Sequence, residues 1–161
     1  MNTRENEHGV TLVEILIVVG VIALLATMVI GVATRIDAQA KEKGVENIFL
    51  LLEGALQEYR DFTDGFPAQS ESNFAEAAAH SEFLYRELHL IPDSRTILER
   101  IADSSIENKY GTAETPPEIY DPWGTVLDYR YDPATDNFPE LVSAGPDKIF
   151  ATADDISSRQ K

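Results

Sequence analysis

Two sets of acidic residues have chemistry to offer. Glu14 is the single charge in the 24-residue run from Val10 to Ala33. A carboxylate at the centre of a membrane helix costs roughly 2.5–3.5 kcal/mol and usually has a partner. Five residues into the run, it can also sit near the headgroups at little cost. Asp147, Asp154 and Asp155 form the second set. Calcium takes six to eight oxygens, mixing carboxylates, backbone carbonyls and water. Three carboxylates from one loop suit it, with carbonyls near Ala144 and just after Asp155 to complete the shell. Without a cation, adjacent Asp154 and Asp155 would repel Asp147. The position two after Asp147 is Ile149, so this is not an EF-hand loop. Spacing alone leaves a cation loop and a solvated acidic turn equally open.

Other chemistries find little support. The 161-residue chain has no cysteine, which removes disulfides, thiolate metal sites and cysteine nucleophiles together. His8, His80 and His89 show no ligand spacing, and His80 and His89 read as surface or half-buried residues. There is no Gly-x-Ser-x-Gly, no His-Glu-x-x-His and no glycine-rich phosphate loop. Paired carboxylates are common enough that counting does not exclude a glycosidase-like pair. A small domain with no evident pocket-forming repeat counts against one, so no enzyme and no catalytic residue is expected. A net charge of −15 argues against nucleic acid, whose phosphates need Lys and Arg.

The elements that must position these residues divide the chain into five parts. Residues 1–9 are a short polar leader. Residues 10–34 are apolar for long enough to span a bilayer as a transmembrane helix. The run is too long for the apolar core of a cleavable signal peptide, and Ala38-Gln39-Ala40 lies beyond Arg35 and Asp37. Arg4 stands on one side of it and Arg35, Lys41 and Lys43 on the other, so charge counting does not set its orientation.

Residues 35–66 read as an amphipathic helix continuing into a soluble domain. Val45, Ile48, Leu52, Ala55 and Tyr59 recur at helical spacing, with Glu42, Glu46, Glu53 and Glu58 on a solvated face. Asp64-Gly65-Phe66-Pro67 ends it. Residues 67–120 read as a variable helical and loop region: a helix over Phe74 to Leu90, then a second one capped by Asp93, then a loop at Thr115-Pro116-Pro117. This stretch reads as decoration, open to neighbouring subunits or cargo. Residues 121–161 carry a turn at Asp121-Pro122-Trp123-Gly124 and a strand through Val126 to Tyr131. A hairpin turn follows at Asp132 to Asn137, then a strand over Phe138 to Val142 that Pro139 confines to an edge or a late start.

The segment Gly9-Val10-Thr11-Leu12-Val13-Glu14 resembles the N-terminal motif of the type IV pilin and type II secretion pseudopilin superfamily. Val10 stands where the family usually has Phe, the leader is nearly neutral rather than basic, and Gly31 stands where a proline is common. Tyr59 to Pro67 resembles the pseudopilin helix end. Asp121-Pro122-Trp123-Gly124 and Ser143-Ala144-Gly145-Pro146-Asp147, running on to Asp154-Asp155-Ile156, resemble the carboxy-terminal part of the type II secretion major pseudopilin.

The resemblance implies an α+β, pilin-like fold. A long N-terminal helix, membrane-spanning in its first half, would pack on a small antiparallel β-sheet with a C-terminal calcium loop. It implies cleavage after Gly9 by a prepilin peptidase, N-methylation of Val10, and assembly through Glu14. It implies a bound Ca2+ held by Asp147, Asp154, Asp155 and the Ala144 carbonyl. Partners would be further copies of the chain, minor pseudopilins, the peptidase, and an assembly platform protein with its ATPase. The location implied is the inner membrane, single-pass, with a periplasmic C-terminal domain. Cleavage would give Val10 a new α-amino group, of reference pKa about 7.7–8, able to meet Glu14 of a neighbouring subunit and fix its register. A type IV pilus subunit and a non-polymerising, membrane-anchored calcium-binding module are the alternatives. The absence of paired carboxy-terminal cysteines favours a pseudopilin.

Overall fold

The structure is a computed structural model. It describes residues 11–112 and 114–159, without the side chains of 28–34. Two compact units divide at residue 39.

The first unit holds the start of α1 (Leu12–Thr63). Its large apolar side chains from Leu12 to Leu25 are all more than half exposed. Among the described residues no helix is long and apolar enough to cross a membrane. The span expected over 10–34 has Val10 and the side chains of 28–34 outside that set.

In the second unit the rest of α1 buries the expected stripe. Val45, Ile48, Leu52, Ala55 and Leu56 join Phe49 in the core. The helix ends at Thr63 rather than at residue 66. Asp64, not Gly65, takes the left-handed position, with φ 63°, and its N–H reaches the Arg60 carbonyl at 2.8 Å. Asp tolerates that region through local hydrogen bonding, so the helix closes before the glycine.

The region 67–120 supplies part of the core. A short 3₁₀ turn over Phe74–Glu76, whose Ala75 N–H is capped by Asn73 Oδ1 at 3.1 Å, leads into α2 (Ala77–Leu90). Then α3 covers Pro92–Leu98. Leu84, Leu88, Leu98, Ile101 and Ile119 lie in one core with the α1 stripe. Asp93 does not cap α3. Ile91 is the N-cap and Pro92 opens the helix, because a fixed φ and a missing N–H suit the first helical position. The same region holds a two-stranded antiparallel sheet, β1 (Ile106–Glu107) with β2 (Glu118–Ile119).

The last part forms a three-stranded antiparallel sheet in the order β3-β4-β5: β3 (Asp128–Arg130), β4 (Glu140–Ser143) and β5 (Ile156–Ser157). Pro139 stands just before β4, the late start that its missing N–H allows.

His80 is neither a surface nor a half-buried residue. It is buried, and its Nδ1 lies 2.6 Å from Oδ1 of Asp128, which is fully buried. The other oxygen of Asp128 accepts from Arg130 Nε at 2.6 Å. The Arg130 guanidinium lies 3.7 Å from the centre of the Phe74 ring, and Phe74 stacks on Phe150 at 4.6 Å. A run of polar and aromatic contacts thus joins α2, β3, the 3₁₀ turn and the loop after β4.

Tyr129 is fully buried and donates its hydroxyl to the Pro67 carbonyl at 2.7 Å. Burial pushes its phenol above the ordinary value of 10.0. A folded-state value above the unfolded one contributes stability that is present below the unfolded value and lost as pH rises toward the folded one. We expect stability to fall as pH rises above 10.0, and Tyr129→Phe to flatten that limb. At neutral pH the substitution costs about 1 kcal/mol for the lost hydrogen bond. Urea unfolding at a series of pH values checks both.

Candidate functional site

Gly9 and Val10, the expected processing position, lie outside the described residues. Glu14 is described and sits in the first turn of α1. Its Oε2 accepts from the Thr11 N–H at 2.9 Å and lies 3.0 Å from the Thr11 hydroxyl, while the Thr11 oxygen accepts from the Glu14 N–H at 3.2 Å. This reciprocal pair is a capping box, with Thr11 as the N-cap. Thr11 is the residue that reading the sequence for charge misses. The Thr-x-x-Glu spacing before an apolar run is the signal that finds it.

The second site is the loop between β4 and β5. It leaves the sheet through Gly145, in left-handed backbone at φ 65°. Gly145 N–H donates to Ser143 Oγ at 3.2 Å, and Ser143 Oγ donates to Asp121 Oδ2 at 2.7 Å. Asp121 Oδ1 in turn accepts from the N–H groups of Trp123 and Thr125, both at 2.9 Å, which fixes the Asp-Pro-Trp-Gly turn beneath the loop. Lys148 and Ala151 also hold positive φ, 64° and 66°. Each costs a non-glycine residue about 1–2 kcal/mol.

Within the loop the acidic side chains serve its own backbone. Asp147 Oδ1 accepts from the Ile149 N–H at 2.8 Å, and Asp155 Oδ2 from the Ala151 N–H at 2.8 Å. Asp154 Oδ2 accepts from the Asp147 N–H at 3.0 Å, and its Oδ1 from the Thr152 hydroxyl at 2.6 Å. The Thr152 hydroxyl, then the Asp147 amide, hold the Asp154 carboxyl below its usual range. Asp147 and Asp154 are therefore brought together, with Asp155 on the adjacent turn. Among the described residues no three His, Cys, Asp or Glu side chains gather as a metal-holding group. One oxygen stands apart: Asp155 Oδ1 is buried and has no hydrogen-bond partner. A hard cation suits such an oxygen-only donor set, and Asp155 Oδ1 is the atom that lacks anything else to bind.

Gly145 has no room for a side chain. A Cβ there would lie 2.2 Å from the Asp154 carbonyl oxygen. We expect Gly145→Ala to combine that clash with left-handed strain and to destabilise the unit by about 2 kcal/mol or more. Thermal unfolding followed by circular dichroism measures it. An unchanged midpoint would show that the loop does not approach Gly145 so closely.

The prokaryotic N-terminal methylation motif matches residues 4–30. Over 160 residues the chain is 28% identical to the type II secretion system core protein G of Escherichia coli (strain K12), covering 98% of this chain and 94% of that protein. Among solved structures, the major pseudopilin of the type 2 secretion system of enterohaemorrhagic Escherichia coli is similar. The match has a TM-score of 0.39 at 18% identity, over 78% of this chain and 87% of that one.

Proposed function

We infer that the chain is a major pseudopilin of type II secretion, a structural subunit of the pseudopilus. The observation that carries this is the methylation motif over residues 4–30, with the capped Glu14 at the start of α1. The near full-length likeness to a secretion-system core protein supports the secretion system over a type IV pilus. In this reading a prepilin peptidase removes residues 1–9 and Val10 is methylated. The subunit waits in the inner membrane on the helix over 10–34, with its acidic unit on the periplasmic side. A platform protein and an ATPase add it to a filament that minor pseudopilins complete. The ATPase supplies the force; this chain supplies stiffness, register and surface.

The capping box gives Glu14 two states. In the lone subunit its carboxylate is satisfied by Thr11 of its own chain. In the filament the α-amino group of a neighbour's Val10 competes for it. An ammonium partner adds a Coulombic attraction that the neutral Thr11 donors lack, and it is larger in a low-dielectric surrounding, so the exchange favours assembly.

The test is the intact mass and N-terminal sequence of the protein from its native membranes. A chain beginning at methylated Val10 is expected. One still beginning at Met1 would leave an anchored domain without a filament role.

Calcium at the β4–β5 loop is part of the same proposal, supported by the orphaned Asp155 oxygen and the oxygen-only donors. Asp147, Asp154, Asp155 and the Ala144 carbonyl would hold it. Its role is structural, drawing the loop's acidic groups together. We expect calorimetry on the full chain in detergent to give a dissociation constant on the order of 10⁻⁴–10⁻³ M, and Asp155→Asn to weaken it. No heat of binding, with unfolding unchanged between calcium and chelator, would remove the metal from the account.

A further inference from the structure

The second unit carries a groove and a knob made of different residues. The groove, of about 440 Å³, lies between α1 and β5 and is lined by Glu46, Phe49, Leu50, Glu53, Ile156 and Ser157 among others. Leu50 is 60% exposed there, an apolar side chain without cover on the α1 surface. Glu46 and Glu53 give the lining its charge.

The knob is the tip of the β4–β5 loop. Lys148 and Ala151 bracket it with left-handed backbone, a region non-glycine residues avoid. That turn tucks Phe150 against Phe74 and leaves Ile149 61% exposed, with exposed Lys148 beside it. Strain held at an exposed apolar tip is a feature that binding sites retain.

We propose that Ile149 of one copy inserts into the α1–β5 groove of the next copy, with Lys148 facing Glu46 and Glu53. The proposal rests on the filament reading and adds to it a contact made by the second unit rather than by the apolar start of α1. Charge complementarity selects a second copy as the occupant. Residues 34–161 carry a net charge of −13, so copies repel unless a basic group of one meets acidic groups of the other. The geometry class also fits. Knob and groove are different surfaces, so the contact is heterologous; repeated without closing, it gives a helical filament rather than a two-fold dimer.

The chain has no cysteine, which makes the test clean. Filaments of the full chain carrying Leu50→Cys and Ile149→Cys together are oxidised and run without reductant. A ladder of cross-linked copies is expected from the double variant and only monomer from either single one. In parallel, Lys148→Glu is expected to lower filament yield about tenfold or more, since like charges now face each other. Adding Glu46→Lys to the same chain is expected to restore much of it. Thermal unfolding of Lys148→Glu checks that the fold survives; if it does not, the cysteine pair alone decides. Abundant filaments by electron microscopy, with no ladder from the double variant and normal assembly by Lys148→Glu, would overturn the knob-and-groove contact and leave the filament reading standing. An unsubstituted chain that forms no filaments at all would overturn both.

Discussion

Asp128→Ala lowers the stability of the second unit by about 3–5 kcal/mol, the cost of leaving a buried charge without its partner. Asp128 is fully buried and holds two groups at once, His80 and Arg130, each at 2.6 Å. Its removal strands Arg130, which already has a buried Nη2 without a partner. It also frees the imidazole that ties α2 to β3. A fall of roughly 10 °C or more in the thermal midpoint is expected. Asp128→Asn keeps an acceptor for Arg130 and costs less. Equal midpoints for Asp128→Ala and the unsubstituted chain would mean that the three side chains contribute no net stability.

Glu14→Ala leaves membrane insertion intact and reduces assembled filament by about a hundredfold, because losing one partner of a desolvated charge pair costs about 2–5 kcal/mol. The same change also removes the capping box, for about 0.5–2 kcal/mol at the helix start. Thr11→Val separates the two effects. It deletes the hydroxyl that bonds Glu14 while leaving the carboxylate for a neighbour's amino group. If the exchange of partners is right, Thr11→Val assembles and Glu14→Ala does not. Quantifying sheared filaments against membrane-bound subunit reads both. Normal filament yield from Glu14→Ala would remove the register role from that carboxylate.

Long periodic patterns were legible before any coordinates. The α1 stripe from Val45 to Leu56 repeats at helical spacing over several turns, so its buried face follows from residue types alone. The turn at Asp121 and the loop after Ser143 announce themselves through Gly, Pro and Asp. Short and non-local features were not legible. β1, β2 and β5 are two residues each, too short for an alternation to show. His80 finds its partner 48 residues away, and nothing local to either residue signals the pair. Asp93 looks like a cap in the sequence, but Pro92 sets the same boundary one residue earlier. At the acidic loop, sequence spacing located the three carboxylates; it could not show that each is already engaged by the loop's own amides.

The sheet order has a consequence for how the protein is made. Its central strand, β4, and its edge strand, β5, both come from the last 22 residues of the chain. Leu141 from that segment is in the main core, beside residues of α1 and α2. Synthesis runs from the other end at about 5–20 residues per second, so the apolar start of α1 leaves the ribosome well before the core can close. The second unit therefore has no complete folded form until β4 and β5 have been made. Closure waits for these two strands, which, if the chain is anchored as proposed, would leave it unfolded enough to cross the bilayer without a separate holding device. It also makes a carboxy-terminal truncation a folding defect rather than the loss of an appendage.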